Sequence, residues 1–177
     1  MSKIDYKMRF TPIIGDDFPK QTQHQHPCLE NGEKVARMMR DTDTAGKWMV
    51  VHFIPRSHSE LQLEQIEAME GLINDTVAVV CWCPDSLNAI SAWIGDRKFQ
   101  QPIFHDVGND VALDCGIIAS EFSEPANAVY IIDPYDKIRW AQYSEFPITE
   151  AEIVNEALEK QFDHLRKSKN IEVDMQE

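Results

Sequence analysis

Two stretches of the chain, Trp48-Met-Val-Val-His-Phe-Ile54 and Val77-Ala-Val-Val-Cys-Trp-Cys83, are almost continuously apolar. Runs of this length without polar alternation predict strands buried on both faces, as in the interior of a parallel sheet. Pro55 ends the first run. The segment that follows carries two overlapping capping-box spacings, Ser57 with Glu60 and Ser59 with Gln62. Leu63, Ile66, Met69 and Leu72 or Ile73 then recur at helical intervals, with Glu64, Glu67 and Glu70 largely on the opposite side. Gly71 marks the end of that helix.

After the second run, Pro84-Asp85-Ser86 opens another helix whose apolar positions are Leu87, Ile90 and Ile94. A short strand at Ile103-Phe104 and a helix from Val111 to Cys115 follow. Ala128–Ile132 reads as a third strong strand. Asp133-Pro134-Tyr135-Asp136-Lys137 is a turn, with Ile138–Tyr143 as its antiparallel partner. Thr149 and Glu152 open a last helix, with Ile153, Val154, Ala157, Leu158, Phe162 and Leu165 on one face. Strands alternating with helices, then a hairpin and a helix, define an α/β sheet layered with helices. One domain is expected over residues 1–165. Residues 1–12 lack periodicity, and residues 166–177 read as a mobile charged tail.

Composition narrows the choice of partners. The chain has 177 residues, 17 Lys plus Arg against 30 Asp plus Glu, and a net charge of −13. The acidity is concentrated after residue 50, where 9 basic side chains face 23 acidic ones. Such a surface repels nucleic-acid phosphate and anionic membranes. No run of 18 apolar residues exists to span a bilayer, and the first 25 residues lack an apolar signal core. The expected compartment is the cytoplasm, and the four cysteines are expected there as free thiols.

The order of elements and several local words resemble the peroxiredoxin family of the alkyl hydroperoxide reductase and thiol-specific antioxidant type, on a thioredoxin fold. The words are Gly15-Asp16-Asp17-Phe18-Pro19, Gly46-Lys47-Trp48 through Ile54-Pro55, Asp85-Ser86 followed by Ala92-Trp93-Ile94, and Ile131-Ile132-Asp133-Pro134 through Ile138-Arg139-Trp140. The resemblance runs from about residue 13 to 162. It implies a thioredoxin-like mixed sheet flanked by helices and a homodimer or higher homo-oligomer. It also implies chemistry at a Pro-x-x-x-Thr/Ser-x-x-Cys motif, whose thiolate attacks a peroxide oxygen.

Here that motif reads Pro55-Arg56-Ser57-His58-Ser59-Glu60-Leu61-Gln62. Pro55 is present and Ser59 stands for the threonine, but Gln62 occupies the nucleophile position. A carboxamide neither attacks a peroxide nor forms a sulfenic acid. The family's arginine before the late strand falls on Asn127, and no cysteine follows Cys115 to act as a resolving thiol. The resemblance therefore implies a degenerate site and a binding, assembly or regulatory role. Gln62 also suits the third position of a helix capped by Ser59, a purely structural use. A polar pocket around Ser59, Gln62 and Asn127 that still binds a small molecule is the other reading.

The remaining candidates are thiols and histidines. Cys81 and Cys83 share one face at the carboxyl end of their strand, where α/β sheets gather binding sites. Cys83 precedes a helix N-terminus, so a thiol oxidoreductase using Cys83 with Cys81 is the alternative function. Against it stands the habit of free cysteines to act as small buried hydrophobes. His24, His26 and Cys28 would project to one face of an extended segment as candidate metal ligands. His52 reads as a core histidine, His58 as a candidate acid or base above the degenerate site, and His105-Asp106 as capping or surface. No phosphate-cradling loop, dinucleotide fingerprint or serine-nucleophile elbow is present, and no cofactor is expected.

Overall fold

The computed structural model describes residues 14–118 and 124–174; the expectation for residues 1–12 lies outside them. Seven strands form one sheet in the order β2-β1-β5-β4-β3-β6-β7. They are β1 (His26–Glu30), β2 (Glu33–Arg37), β3 (Trp48–Phe53), β4 (Val77–Cys83), β5 (Ile103–His105), β6 (Asn127–Ile132) and β7 (Ile138–Ser144). The helices are α1 (Glu60–Glu70), α2 (Leu87–Ile94), α3 (Asp110–Asp114) and α4 (Ala151–Asp174). β3, β4 and β5 are parallel, and antiparallel strands flank them on both sides. The two apolar runs are the central pair, and every residue of β3 and β4 is buried.

Period-two alternation sorts the core into two faces. Met49, Val51 and Phe53 of β3 join Val80, Trp82, Phe104 and Tyr130 beneath α3. Val50 and Ile54 point the other way. There Val50, Val79, Val129 and Ile131 meet Met69 of α1 and Val154 and Leu158 of α4. Ile54, Cys81, Cys83 and Ile103 meet Leu63 and Ile66 of α1 and Ile90 and Ile94 of α2. The predicted turn forms as well, since the Asp133 carboxylate accepts the amides of Tyr135 and Lys137 at 2.8 and 3.0 Å.

The structure departs from the sequence expectation in three places. β1 and β2 form a hairpin at one edge of the sheet that the apolar pattern does not announce. Asn31 and Gly32 connect them, both with positive φ (52° and 82°), the backbone of a two-residue primed turn. The last helix begins at Ala151, and the Thr149 carbonyl accepts the Ala151 amide at 3.2 Å. It then runs to Asp174, through most of the stretch expected as a charged tail. That stretch contains neither glycine nor proline, and adding turns to an existing helix requires no new nucleus. No described helix is long and apolar enough to cross a membrane.

Candidate functional site

The carboxyl end of β3 leads straight into the site. The Ile54 amide donates to the Trp82 carbonyl of β4 at 3.0 Å, and Pro55 then stops the strand. Ser57, only 8% exposed, donates through its amide and its hydroxyl to one Asp85 carboxylate oxygen, at 2.7 and 2.6 Å. This latch ties the approach to α1 to the approach to α2. Of the two capping spacings, the structure uses the second. Ser59 is the extended N-cap of α1, and its hydroxyl accepts the Gln62 amide at 3.2 Å. Ser57 is not a cap because Asp85 has taken its hydroxyl.

Gln62 lies on the inward side of the first turn of α1, 6% exposed, and its Oε1 has no donor among the described residues. Asn127 begins β6. Ala128 pairs with Phe53, which brings Asn127 alongside the segment leaving β3. Alternation with Val129 and Ile131 turns its side chain to the face that α1 covers. It is 2% exposed, and its Oδ1 likewise has no donor among the described residues. Arg56 and Glu124 form an ion pair between the two segments that lead into α1 and β6. His58 is exposed, one residue before the cap. Topology thus gathers Pro55, His58, Ser59, Gln62 and Asn127 at one end of the sheet.

The strand thiols are buried away from this cluster's surface. Cys81 and Cys83 share a face, as the alternation predicts, but both are fully buried among Leu63, Ile66, Ile90 and Ile94. Burial pushes both thiols up, Cys83 to about 12 although the Asp85 amide hydrogen-bonds it. Desolvation thus works against the lowering that the nearby helix start would give. Cys28 is buried in the opposite core and pushed up to about 11, again by burial. Cys115 is half-buried, and burial raises its thiol as well.

The histidine candidates separate too. His26 stands edge-on to Trp82, with centroids 5.1 Å apart, and its Nε2 meets the Gln21 carbonyl at 2.8 Å. His24 is exposed beyond a short 3-10 turn, and Cys28 faces the core, so the proposed ligands do not converge. No group of three ligating side chains exists among the described residues. Asp106 is a cap, accepting the Val111 and Ala112 amides, each at 2.9 Å.

Sequence reasoning missed the polar network under α1. His52 is fully buried, and burial lowers its imidazole to about 4. Gln101 Nε2 donates to the Ile66 carbonyl and to Glu70 at 2.9 and 2.8 Å, leaving its Oε1 to accept from His52 Nε2 at 2.6 Å. Gln65 Nε2 donates to His52 Nδ1 and to the Phe53 carbonyl, both at 3.1 Å. The neutral ring is thus satisfied on both sides, and His52 is a core histidine. The available signal was Gln65 itself, a polar residue on the helical stripe of Leu63, Ile66 and Met69.

A mixed sheet whose central parallel strands deliver a capped helix start, with helices on both faces, is the thioredoxin-like architecture of peroxiredoxins. The sequence matches the AhpC/TSA family over residues 14–141, and the chain belongs to that family. Among solved structures, a cysteine-to-serine variant of Xylella fastidiosa PrxQ superposes with a TM-score of 0.68 at 18% identity, covering 85% of this chain and 98% of that one. Mycobacterium tuberculosis AhpC gives 0.68 at 20% identity over 86% and 95%. Enterococcus faecalis AhpC gives 0.70 at 20% identity over 86% and 94%. At these identities the solved structures share the fold. No curated protein matches the sequence.

Proposed function

We propose that this AhpC/TSA family member does not reduce peroxides by the family's thiol mechanism and acts instead as a binding, assembly or regulatory protein. The carrying observation is Gln62 in the first turn of α1, behind the Ser59 cap, where the family resemblance expects the attacking cysteine. In the family's mechanism a thiolate donates an electron pair to one peroxide oxygen and becomes a sulfenic acid, while the O–O bond breaks and the other oxygen leaves as alcohol or water. A carboxamide cannot take the sulfur's place. Asn127, at the position of the family's arginine, adds no positive charge. In this reading the protein works in the cytoplasm as a homodimer or higher homo-oligomer. Leu61 and Phe146, 55% and 74% exposed, supply apolar surface for such contacts near the site.

The test is peroxide consumption by the purified protein with a thioredoxin-type reductant. No turnover above the reductant alone is expected. Turnover that disappears in Cys83→Ser would overturn the proposal in favour of the oxidoreductase using Cys83 with Cys81. The burial of both thiols speaks against that alternative.

A further inference from the structure

We propose that the polar site formed by Gln62 and Asn127 at the start of α1 binds a small neutral ligand through a primary amide group, as in a carboxamide or urea. This inference rests on the reading of Gln62 and Asn127 given above and names the chemistry the altered site would take. Gln62 Oε1 and Asn127 Oδ1 are acceptors on side chains 6% and 2% exposed, and neither meets a donor among the described residues. Buried polar oxygens are nearly always hydrogen-bonded, so two unmet ones at the same end of the sheet leave room for a donor that the described residues do not supply. They lie on the same face of the sheet, one carried by α1 and one by β6.

The surroundings select the donor. Ser59 already satisfies the Gln62 amide, whereas the amides of Glu60 and Leu61 have no partner within the helix. Those amides and the positive end of the helix dipole disfavour a cation beside the two acceptors. Among the described residues the neighbouring ion pairs, Arg56 with Glu124 and Arg97 with Glu60 and Glu67, carry no net positive charge and give an anion no net attraction. A primary amide supplies what is missing. Its NH2 has two donors for the two carboxamide oxygens, and its carbonyl can accept from the first helical turn.

The test is a titration of the 15N-labelled protein with acetamide, following the Gln62 and Asn127 side-chain NH2 signals and the Glu60 and Leu61 backbone amides. Saturable shifts of these signals are expected with acetamide. Methylammonium and tert-butanol should bind at least tenfold more weakly. Gln62→Met, which keeps the length and removes the acceptor, should weaken acetamide at least tenfold in a protein whose remaining spectrum is unchanged. If that variant does not fold, Asn127→Leu serves the same purpose. Absence of saturable shifts, equal binding by the variants, or preference for methylammonium or tert-butanol would each overturn the inference. Peroxide turnover measured on the same sample reports separately on the proposed function.

Discussion

His52 Nε2 donates to Gln101 Oε1 across 2.6 Å inside the sheet–helix core, and the ring is held neutral there. Burial lowers its pKa from 6.5 to about 4, so the unfolded chain takes up this proton at a higher pH than the folded one does. The associated stability is present above about pH 6.5 and is lost as the pH falls toward 4, by roughly 3 kcal/mol in all. Urea unfolding of wild type and His52→Gln between pH 7.5 and 4 checks it. The wild type should lose more stability on acidification than the variant, and equal slopes would contradict this assignment.

The Ser57–Asp85 latch is expected to stabilise the approach to both helices. Asp85→Ala leaves a buried amide and hydroxyl without their acceptor, a loss of about 1–3 kcal/mol. Ser57→Ala removes one of the two bonds and should lose less, about 1 kcal/mol. Denaturant midpoints rank the two, and a larger loss in Ser57→Ala would reverse the argument.

Ser59→Ala removes the cap of α1 and should lower stability by about 1 kcal/mol, whereas Ser59→Asp should retain most of it. Thermal unfolding of the three proteins decides this. Equal melting of Ser59→Ala and wild type would mean that the hydroxyl contributes nothing as a cap.

Iodoacetamide labelling read by mass spectrometry should leave Cys28, Cys81 and Cys83 unmodified in the native protein and label them after unfolding. Half-buried Cys115 should react slowly. Fast native labelling of Cys83 would restore the oxidoreductase alternative.

Gln62→Cys places a thiol in the first turn of α1, where the helix dipole favours the thiolate. That cysteine should alkylate faster at pH 7 than any native thiol. Labelling no faster than Cys115 would show that this helix start does not activate sulfur.

The central strands were legible because complete burial leaves an unbroken apolar run, and Trp48–Phe53 and Val77–Cys83 carry one each. The edge hairpin was not. β2 reads Glu-Lys-Val-Ala-Arg and is largely exposed, so no apolar pattern announces it. Only Asn31-Gly32, a turn pair that tolerates positive φ, carried the signal. At the site, the Ser59 cap follows from spacing along the chain. Asp85 as partner of Ser57 does not, because a hydrogen bond across 28 positions depends on how β3 and β4 pair. Cys83 shows the same limit from the other side. Its place before a helix was readable, while its desolvation depended on α1 and α2 closing over it.

Gln65 uses both ends of its side chain. While Nε2 holds His52 and the Phe53 carbonyl, Oε1 accepts the Ile148 amide at 2.8 Å. Ile148 belongs to no helix or strand, yet it leads directly into α4. This one glutamine therefore ties β3, α1 and the approach to α4 together through three hydrogen bonds, an arrangement expected to open as one unit. In hydrogen exchange the Ile148 amide should behave as a core amide, opening only when α1 leaves the sheet, although it sits in a connecting segment.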